Sequence, residues 1–382
     1  MIVEPHTKHA IELMARFAER TGLASDQPQQ RYLWTDAFAV CNFLALARET
    51  GNPRFTELAL QLIRYVHDVL GRHRADDHRT GWISGLTGGS GDAHPTHGGL
   101  RIGKPLPERR SDEALDERLE WDRDGQYFHY LTKWMHALDQ VTRSTGQLMF
   151  NTWARELAET AYRAFTYTPQ HGGSRRMYWK MSIDLTQPLV ASMGQHDPLD
   201  GFVTYTQLEA TTPGVEPPLG HAIADFAAMI DPTGLASRDP LGLGGLLGDA
   251  HRLAQLEQHG ASGLGLVEPL LAAALVGLRH YVQQPDLHLS ARRRLAFREL
   301  GLAIGLAAIE SDAWHGATRG AHTCLDELAR YLPLRAEIRA FWLQPKHRQM
   351  GSWLEHADIN DVMLATCLRP EGFLHITPPL TG

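Results

Sequence analysis

The chain has 382 residues, of which 43% are apolar and 21% charged, with a formal net charge of −7. A chain of that length buries a large core, and the composition is globular, which excludes a disordered or fibrous protein. Acids and bases are interspersed, so the concentrated basic surface that a phosphate backbone demands is missing and nucleic acid is excluded as the main partner.

The first residues, MIVEPHTKHA, show no basic region leading into an apolar run, so no signal peptide is expected. The most apolar stretch, Leu264 to Leu278, contains Glu268, Pro269 and two glycines and is too short to span a bilayer. A cytoplasmic protein without a membrane partner is therefore expected. Cys41, Cys324 and Cys367 are odd in number and far apart, which reads as buried free thiols and not as a disulfide framework or a zinc site.

Helical periodicity recurs along the whole chain. Residues 5–22 place Ile11, Met14, Ala15 and Ala18 on one face, and residues 30–49 carry Leu33, Ala37, Val40, Leu44 and Ala47 at three-four spacing. Thr50-Gly51-Asn52-Pro53 ends that helix, because Gly suits the left-handed position after a helix and Pro opens the next one. Residues 53–71 then show a stripe of Phe55, Leu58, Leu62, Tyr65, Val66 and Val69. A long connection, 72–125, follows. Further helices are expected near 126–145, 147–166, 218–231, 244–259, 265–283, 289–311, 318–331, 333–343 and 357–368. Residues 174–210 read as helix with breaks, and Gly201–Tyr205 as a small hairpin at most.

An internal repeat organises these helices. A shift of 95 residues lays Tyr32 on Tyr127, Thr50-Gly51 on Thr145-Gly146, Phe55 on Phe150, Ala59 on Ala154 and Leu62 on Leu157. Both copies read as helix, Thr-Gly turn, helix. About eleven or twelve helices are enough for five or six such hairpins.

The segment LWTDAFAVCNFLALARETGNPRFTELALQLIRYV, followed by Arg79-Thr80-Gly81-Trp82-Ile83, resembles a hairpin of the six-hairpin glycosidase-like superfamily. The resemblance implies an all-α, (α/α)6-type toroid of helical hairpins, a single domain over residues 1–382 with a long loop insertion at 72–125. It also implies a carbohydrate-active enzyme, since that superfamily includes glycoside hydrolases and N-acylglucosamine 2-epimerases.

Candidate site residues gather at helix starts, where free N–H groups and the helix dipole favour carboxylates and hydroxyl-rich ligands. Glu120–Tyr130 is the densest cluster, with Asp122 and Asp124 as acid–base carboxylates and Gln126, Tyr127 and His129 as sugar contacts. Its ordinary reading is helix capping by Asp122 or Asp124 over core tyrosines. Trp34 and Asp36 occupy the equivalent start in the first repeat, and Trp82 lies in the long connection. Trp179 and Asp184, then His196 and Asp200, mark the polar and aromatic stretch 177–201. Late in the chain come Trp314, His315, Arg319 and His322, and after them Trp353, Glu355, His356 and Asp358. Any one of these histidines alone reads equally as an ordinary surface or core residue.

His196-Asp197 is similar to the paired ligand of HD-type metal phosphohydrolases, but Pro198 follows directly, so no metal is expected there. His94 and His97 in the Gly-rich connection read as substrate contacts or solvated residues. Nucleotide, P-loop and serine-nucleophile motifs are missing, and no cofactor is expected. The first functional expectation is a glycoside hydrolase-like enzyme for a small-molecule or oligosaccharide substrate. It would use Asp36, Asp122, Asp124 and Glu355 for acid–base work and Trp34, Tyr127, Trp314 and Trp353 as a sugar platform. The alternatives are a sugar epimerase or isomerase moving a proton with His196 and His315, and a non-catalytic sugar-binding protein.

Overall fold

The computed structural model describes residues 4–110 and 112–378. The longer helices, in chain order, are α1 (Pro5–Arg20), α2 (Leu33–Thr50), α3 (Pro53–Leu70), α4 (Phe128–Thr145), α5 (Met149–Phe165), α6 (Asp197–Thr211), α7 (Gly220–Met229), α8 (Pro240–Gln258), α9 (Val267–Tyr281), α10 (Ala296–Ala307), α11 (Arg319–Leu328), α12 (Leu332–Leu343) and α13 (Ala357–Leu368). Among the described residues no helix is long and apolar enough to cross a membrane. Cys41 and Cys367 are buried as expected, while Cys324 is only partly covered.

Two kinds of helix alternate. α4, α6, α8 and α13 are enclosed on nearly every side, so polar residues such as His136, Asp139, Gln207 and Asp361 lie inside with the apolar ones. α3 and α5 are amphipathic and bury one stripe, which in α3 is Leu58, Leu62, Ile63, Val66 and Leu70. Each such side chain contributes about 1.5–3 kcal/mol by leaving water. The enclosed helices satisfy their polar groups internally. Asp139 accepts from Arg143 at 2.9 Å, Asn151 at 3.0 Å and Gln207 at 2.7 Å, and the indole of Trp134 donates to His67 at 3.1 Å.

The Thr-Gly repeat is real down to its hydrogen bonds. Gly51 and Gly146 have φ of 67° and 72°. Thr50 and Thr145 donate back to Leu46 and Val141 at 2.6 and 2.8 Å, and their hydroxyls accept from the amides of Asn52 and Gln147 at 3.2 and 3.3 Å. Only glycine takes that left-handed conformation without penalty.

Where the sequence reads one domain, the structure groups the residues in two compact units. One comprises the residues up to Arg20, Ala45–Asn52 and Asp231–Ile376; the other comprises Thr21–Leu44, Pro53–Ile230 and the residues from Thr377 on. In the first unit α8 and α10 approach so closely that a Cβ on Gly244 would fall 2.1 Å from the carbonyl oxygen of Gly301. A buried Arg294–Glu299 pair at 2.6 Å and the Trp342 indole on Glu299 at 2.7 Å are among the polar contacts of that core. The expected helix 289–311 is α10 flanked by 3-10 turns at Ala291–Arg293 and Ala308–Glu310.

In the second unit, residues 174–190 are not broken helix. β3 (Arg176–Met177) pairs with β2 (Thr166–Tyr167), and β4 (Lys180–Met181) pairs antiparallel with β1 (Gln126–Tyr127) and with β5 (Pro188–Val190). Gly201–Tyr205, read as a hairpin, lies inside α6. Its β-branched and aromatic residues favour a strand locally, but burial on every side overrides that preference. Pro198 in the first turn of α6 is a helix-start signal that the sequence carried.

The long connection 72–125 is ordered by ion pairs. Arg101 reaches Asp124 at 2.5 Å and the carbonyls of Val69 and Arg72 at 2.6 and 2.8 Å. Arg79 bridges Asp77, Glu108 and Asp184 at 2.7, 2.6 and 2.8 Å.

Candidate functional site

The start of α4 is the centre of the second unit's aromatic and acid–base groups. Tyr127 ends β1 opposite Lys180 of β4, and that pairing delivers Trp179 beside the first turn of α4. Around His129 stand Tyr127 at 5.3 Å, Tyr130 at 4.8 Å and Trp179 at 6.4 Å between ring centroids. Trp121 caps the edge of Trp179 at 5.0 Å. Tyr32, the repeat partner of Tyr127, meets Tyr130 edge-on and shares a 2.6 Å hydroxyl contact with it.

α6 packs on α4 and adds two carboxylates from its first turn. Asp197 Oδ1 stands 3.7 Å from His129 Nδ1, too far for a hydrogen bond. His129 Nδ1 and Asp197 Oδ2 are both shielded and have no hydrogen-bond partner. Asp197 is buried, whereas the His129 side chain is 29% exposed, and that exposure lies away from the shielded Nδ1. Asp200 is engaged differently, accepting from Thr132 at 2.5 Å and from Lys133 at 2.7 Å.

Burial sets the protonation of the pair. It lowers His129 to about 4, against a smaller upward pull from Asp200. It raises Asp197 to about 7, helped by the Asp200 charge and opposed by Lys133. The carboxyl therefore holds its proton well into the range where the imidazole is neutral, so between those two values both members of the pair are uncharged. Burial also raises the Tyr127 hydroxyl, so it stays protonated. Chemically, this is a half-open imidazole backed by a proton-bearing carboxyl and walled by aromatic faces.

Of the expected residues, Tyr127, His129, Trp179 and Asp200 are brought together here. His196 sits half-buried just before α6. Others serve the scaffold. The two oxygens of Asp124 accept from Arg101, Arg74 and the amides of Gly103, Lys104 and Gly125, at 2.5 to 3.3 Å. Asp36 accepts from the Tyr32 amide at 3.1 Å and pairs with Arg31 at 3.4 Å. Trp34 is buried against Phe38, and Trp82 is buried beneath the Arg72 guanidinium. The Gln126 amide bonds Gly98, Leu100 and Ile183 at 3.1, 2.8 and 2.7 Å. Asp184 is held by Arg79 and Ser182, and Asp122 is exposed.

In the first unit the expected residues divide between buried tryptophans and exposed polar groups. Trp314 is buried with its indole donating to Ala308, and Trp353 is buried against Trp342. His315, Arg319, His322, Glu355 and His356 are exposed, and Asp358 pairs with Arg20 at 2.7 Å. The residues that the sequence reading left out of the site are Asp197, Tyr130, Tyr32 and Lys133. Asp197 was visible as half of His196-Asp197, and Tyr32 through the repeat.

The sequence matches no family model and no curated protein. Its fold does match solved structures. An inactive variant of the alpha-1,6-mannanase of Salegentibacter sp. HEL1_6, with two adjacent aspartates replaced and alpha-1,6-mannotetrose bound, aligns with a TM-score of 0.54 at 11% identity over 98% of this chain and 100% of that one. The same mannanase without those changes gives 0.52 at 11% identity over 97% and 99%. A D-mannose isomerase gives 0.50 at 12% identity over 89% and 88%. The chain has the all-α, (α/α)6-type fold of these structures, as its sequence implied.

Proposed function

We propose that this protein is a carbohydrate-active enzyme that moves a proton on a sugar, in the manner of an aldose–ketose isomerase, with His129 and Asp197 as its acid–base dyad. The carrying observation is the pair itself: His129 Nδ1 stands 3.7 Å from Asp197 Oδ1 on facing helices, and both Nδ1 and the other carboxyl oxygen, Oδ2, are shielded without a hydrogen-bond partner. Aldose–ketose conversion needs one carrier that takes the proton from C2 and returns it to C1, while a second proton passes from O2 to O1. His129 serves as the carrier at its open edge. On taking the C2 proton the imidazole becomes charged, and Asp197 behind it accepts a hydrogen bond from the Nδ1–H as the gap closes, until the proton is returned to C1. Tyr127, Tyr130 and Trp179 provide the faces on which a sugar ring stacks.

The alternatives ask for groups this unit holds otherwise. Hydrolysis of a glycoside needs two carboxylates about 5–9 Å apart across the bond, yet Asp36 and Asp124 are spent on backbone amides and arginines. The sequence has a single adjacent aspartate pair, Asp76-Asp77, and both members are bound by Arg74 and Arg79. One observation favours hydrolysis as a second reading: Asp197 and Asp200 lie one turn apart, one prone to stay protonated and the other ion-paired.

Incubation with free aldoses and ketoses in deuterated water tests both. Ketose formation with deuterium at C2 of recovered aldose, abolished in His129→Gln, is expected. Reducing ends released from mannosides with no deuterium exchange would instead establish the hydrolase.

A further inference from the structure

The two helices that carry the dyad carry a second pair one turn deeper. On α4, Lys133 follows His129 by one turn; on α6, Asp200 follows Asp197 in the same way. The facing residues therefore form two rungs, an open one of His129 and Asp197 at 3.7 Å and a closed one of Lys133 and Asp200 at 2.7 Å. Thr132 ties the closed rung further by donating to Asp200 at 2.5 Å. Asp200 is almost fully buried and Lys133 nearly so, at 5% and 15% side-chain exposure. A buried ion pair contributes little net stability against its hydrophobic equivalent, but it fixes geometry and field strongly.

We propose that Lys133 and Asp200 are positioning residues for the dyad: their salt bridge fixes the register of α4 against α6 and sets the pH at which the dyad releases its proton. This rests on the reading of His129 and Asp197 given above. The register part follows from the rungs. Lys133 and Thr132 both bond Asp200 across these two first turns, directly below the upper pair at its unbonded spacing. The electrostatic part follows from placement. The groups facing Asp197 are His129 and Lys133 from α4, with Asp200 and His196 on its own segment. On α7 the ionisable groups, His221 and Asp225, are occupied with each other and with Tyr162. The balance of one anion and one cation thus tunes a dyad whose protonation burial sets. Lysines are scarce in this chain, five among 37 Lys and Arg residues, so arginine at this position is the informative conservative replacement.

The test is a titration of the His129 ring by 15N NMR in the full-length protein, its signals assigned by their loss in His129→Gln. Asp200→Asn removes a negative charge and should move the dyad's midpoint to lower pH by about one unit or more, while Lys133→Met should move it as far the other way. Lys133→Arg should restore the wild-type midpoint, and the double variant Lys133→Met/Asp200→Asn, whose lower rung is neutral, should lie between the single variants. The double variant also reads out the proposal should either single variant fail to fold. Midpoints that stay fixed, or that move together in the two single variants, would overturn it, since a merely structural pair lowers the melting temperature without moving the titration. The titration uses no substrate. Shifted midpoints in a protein that exchanges no deuterium into sugars would leave the positioning role standing and remove the isomerase reading.

Discussion

Replacing Asp197 by Asn is expected to stabilise the protein at alkaline pH while abolishing its activity. In the unfolded chain this carboxyl titrates near 3.8, and in the fold near 7. Between those values the folded state keeps a proton that the unfolded state has released. Wild-type stability therefore falls as pH rises through that window, and the loss is complete above about 7. Asparagine never ionises and escapes the loss. At about 1.4 kcal/mol per unit, the advantage of the variant grows from near zero at pH 3.5 to about 4 kcal/mol at pH 8. Urea unfolding followed by tryptophan fluorescence, for both proteins at pH 5 and pH 8, measures it. The stability difference should widen by about 2–3 kcal/mol between the two conditions. An equal difference at both pH values would refute the claim that Asp197 is held protonated by its surroundings, and with it the dyad.

The other members of these networks give distinct outcomes. His129→Gln should show the opposite sign: its lowered pKa makes the wild type lose stability as pH falls through 6.5 toward about 4, so the variant gains on it at pH 5 and not at pH 8, in the same urea series. Lys180→Met leaves buried Glu120 without its 2.7 Å partner and should cost about 3–5 kcal/mol, seen as a large drop in the thermal midpoint. Asp124→Ala removes the only carboxylate that Arg101 pairs with among the described ion pairs and should likewise cost about 3–5 kcal/mol; unchanged melting with lost turnover would mark Asp124 as catalytic instead. Gly244→Ala drives a Cβ into the Gly301 carbonyl and should destabilise by about 1–3 kcal/mol in calorimetry.

The fold was legible because its signals are periodic and local. The α3 stripe needed only the spacing of Leu58, Leu62 and Val66, and the duplicated turn needed only Thr-Gly at a fixed offset. Gly201–Tyr205 misled because local preference and tertiary burial point in opposite directions there. The short strands at 166–190 were invisible for a different reason. Two-residue pairings carry no alternation to detect, and their partners lie up to 55 residues away, as Gln126 and Met181 do.

At the site, residue type was informative and role was not. Tyr127, His129 and Trp179 were picked out because aromatic and ionisable residues crowd a helix start, and the structure sets them side by side. Asp124 looks the same in sequence, yet five donors converge on it from segments that only the folded chain brings near. What separates the proposed acid–base carboxylate from Asp124 is the count of donors around it. Asp197 has a shielded oxygen left over and Asp124 has none, and this difference depends on long-range contacts.

The Gln126 carboxamide has a bearing on how this region comes apart. One side chain joins the backbone at Gly98 and Leu100 to that at Ile183, two segments far apart in the chain. Breaking any one of these bonds leaves a shielded polar group bare, so opening is all or nothing. The amides of residues 98–102 and 181–183 should thus exchange with deuterium as one block, and the indole of Trp179 is carried by that block.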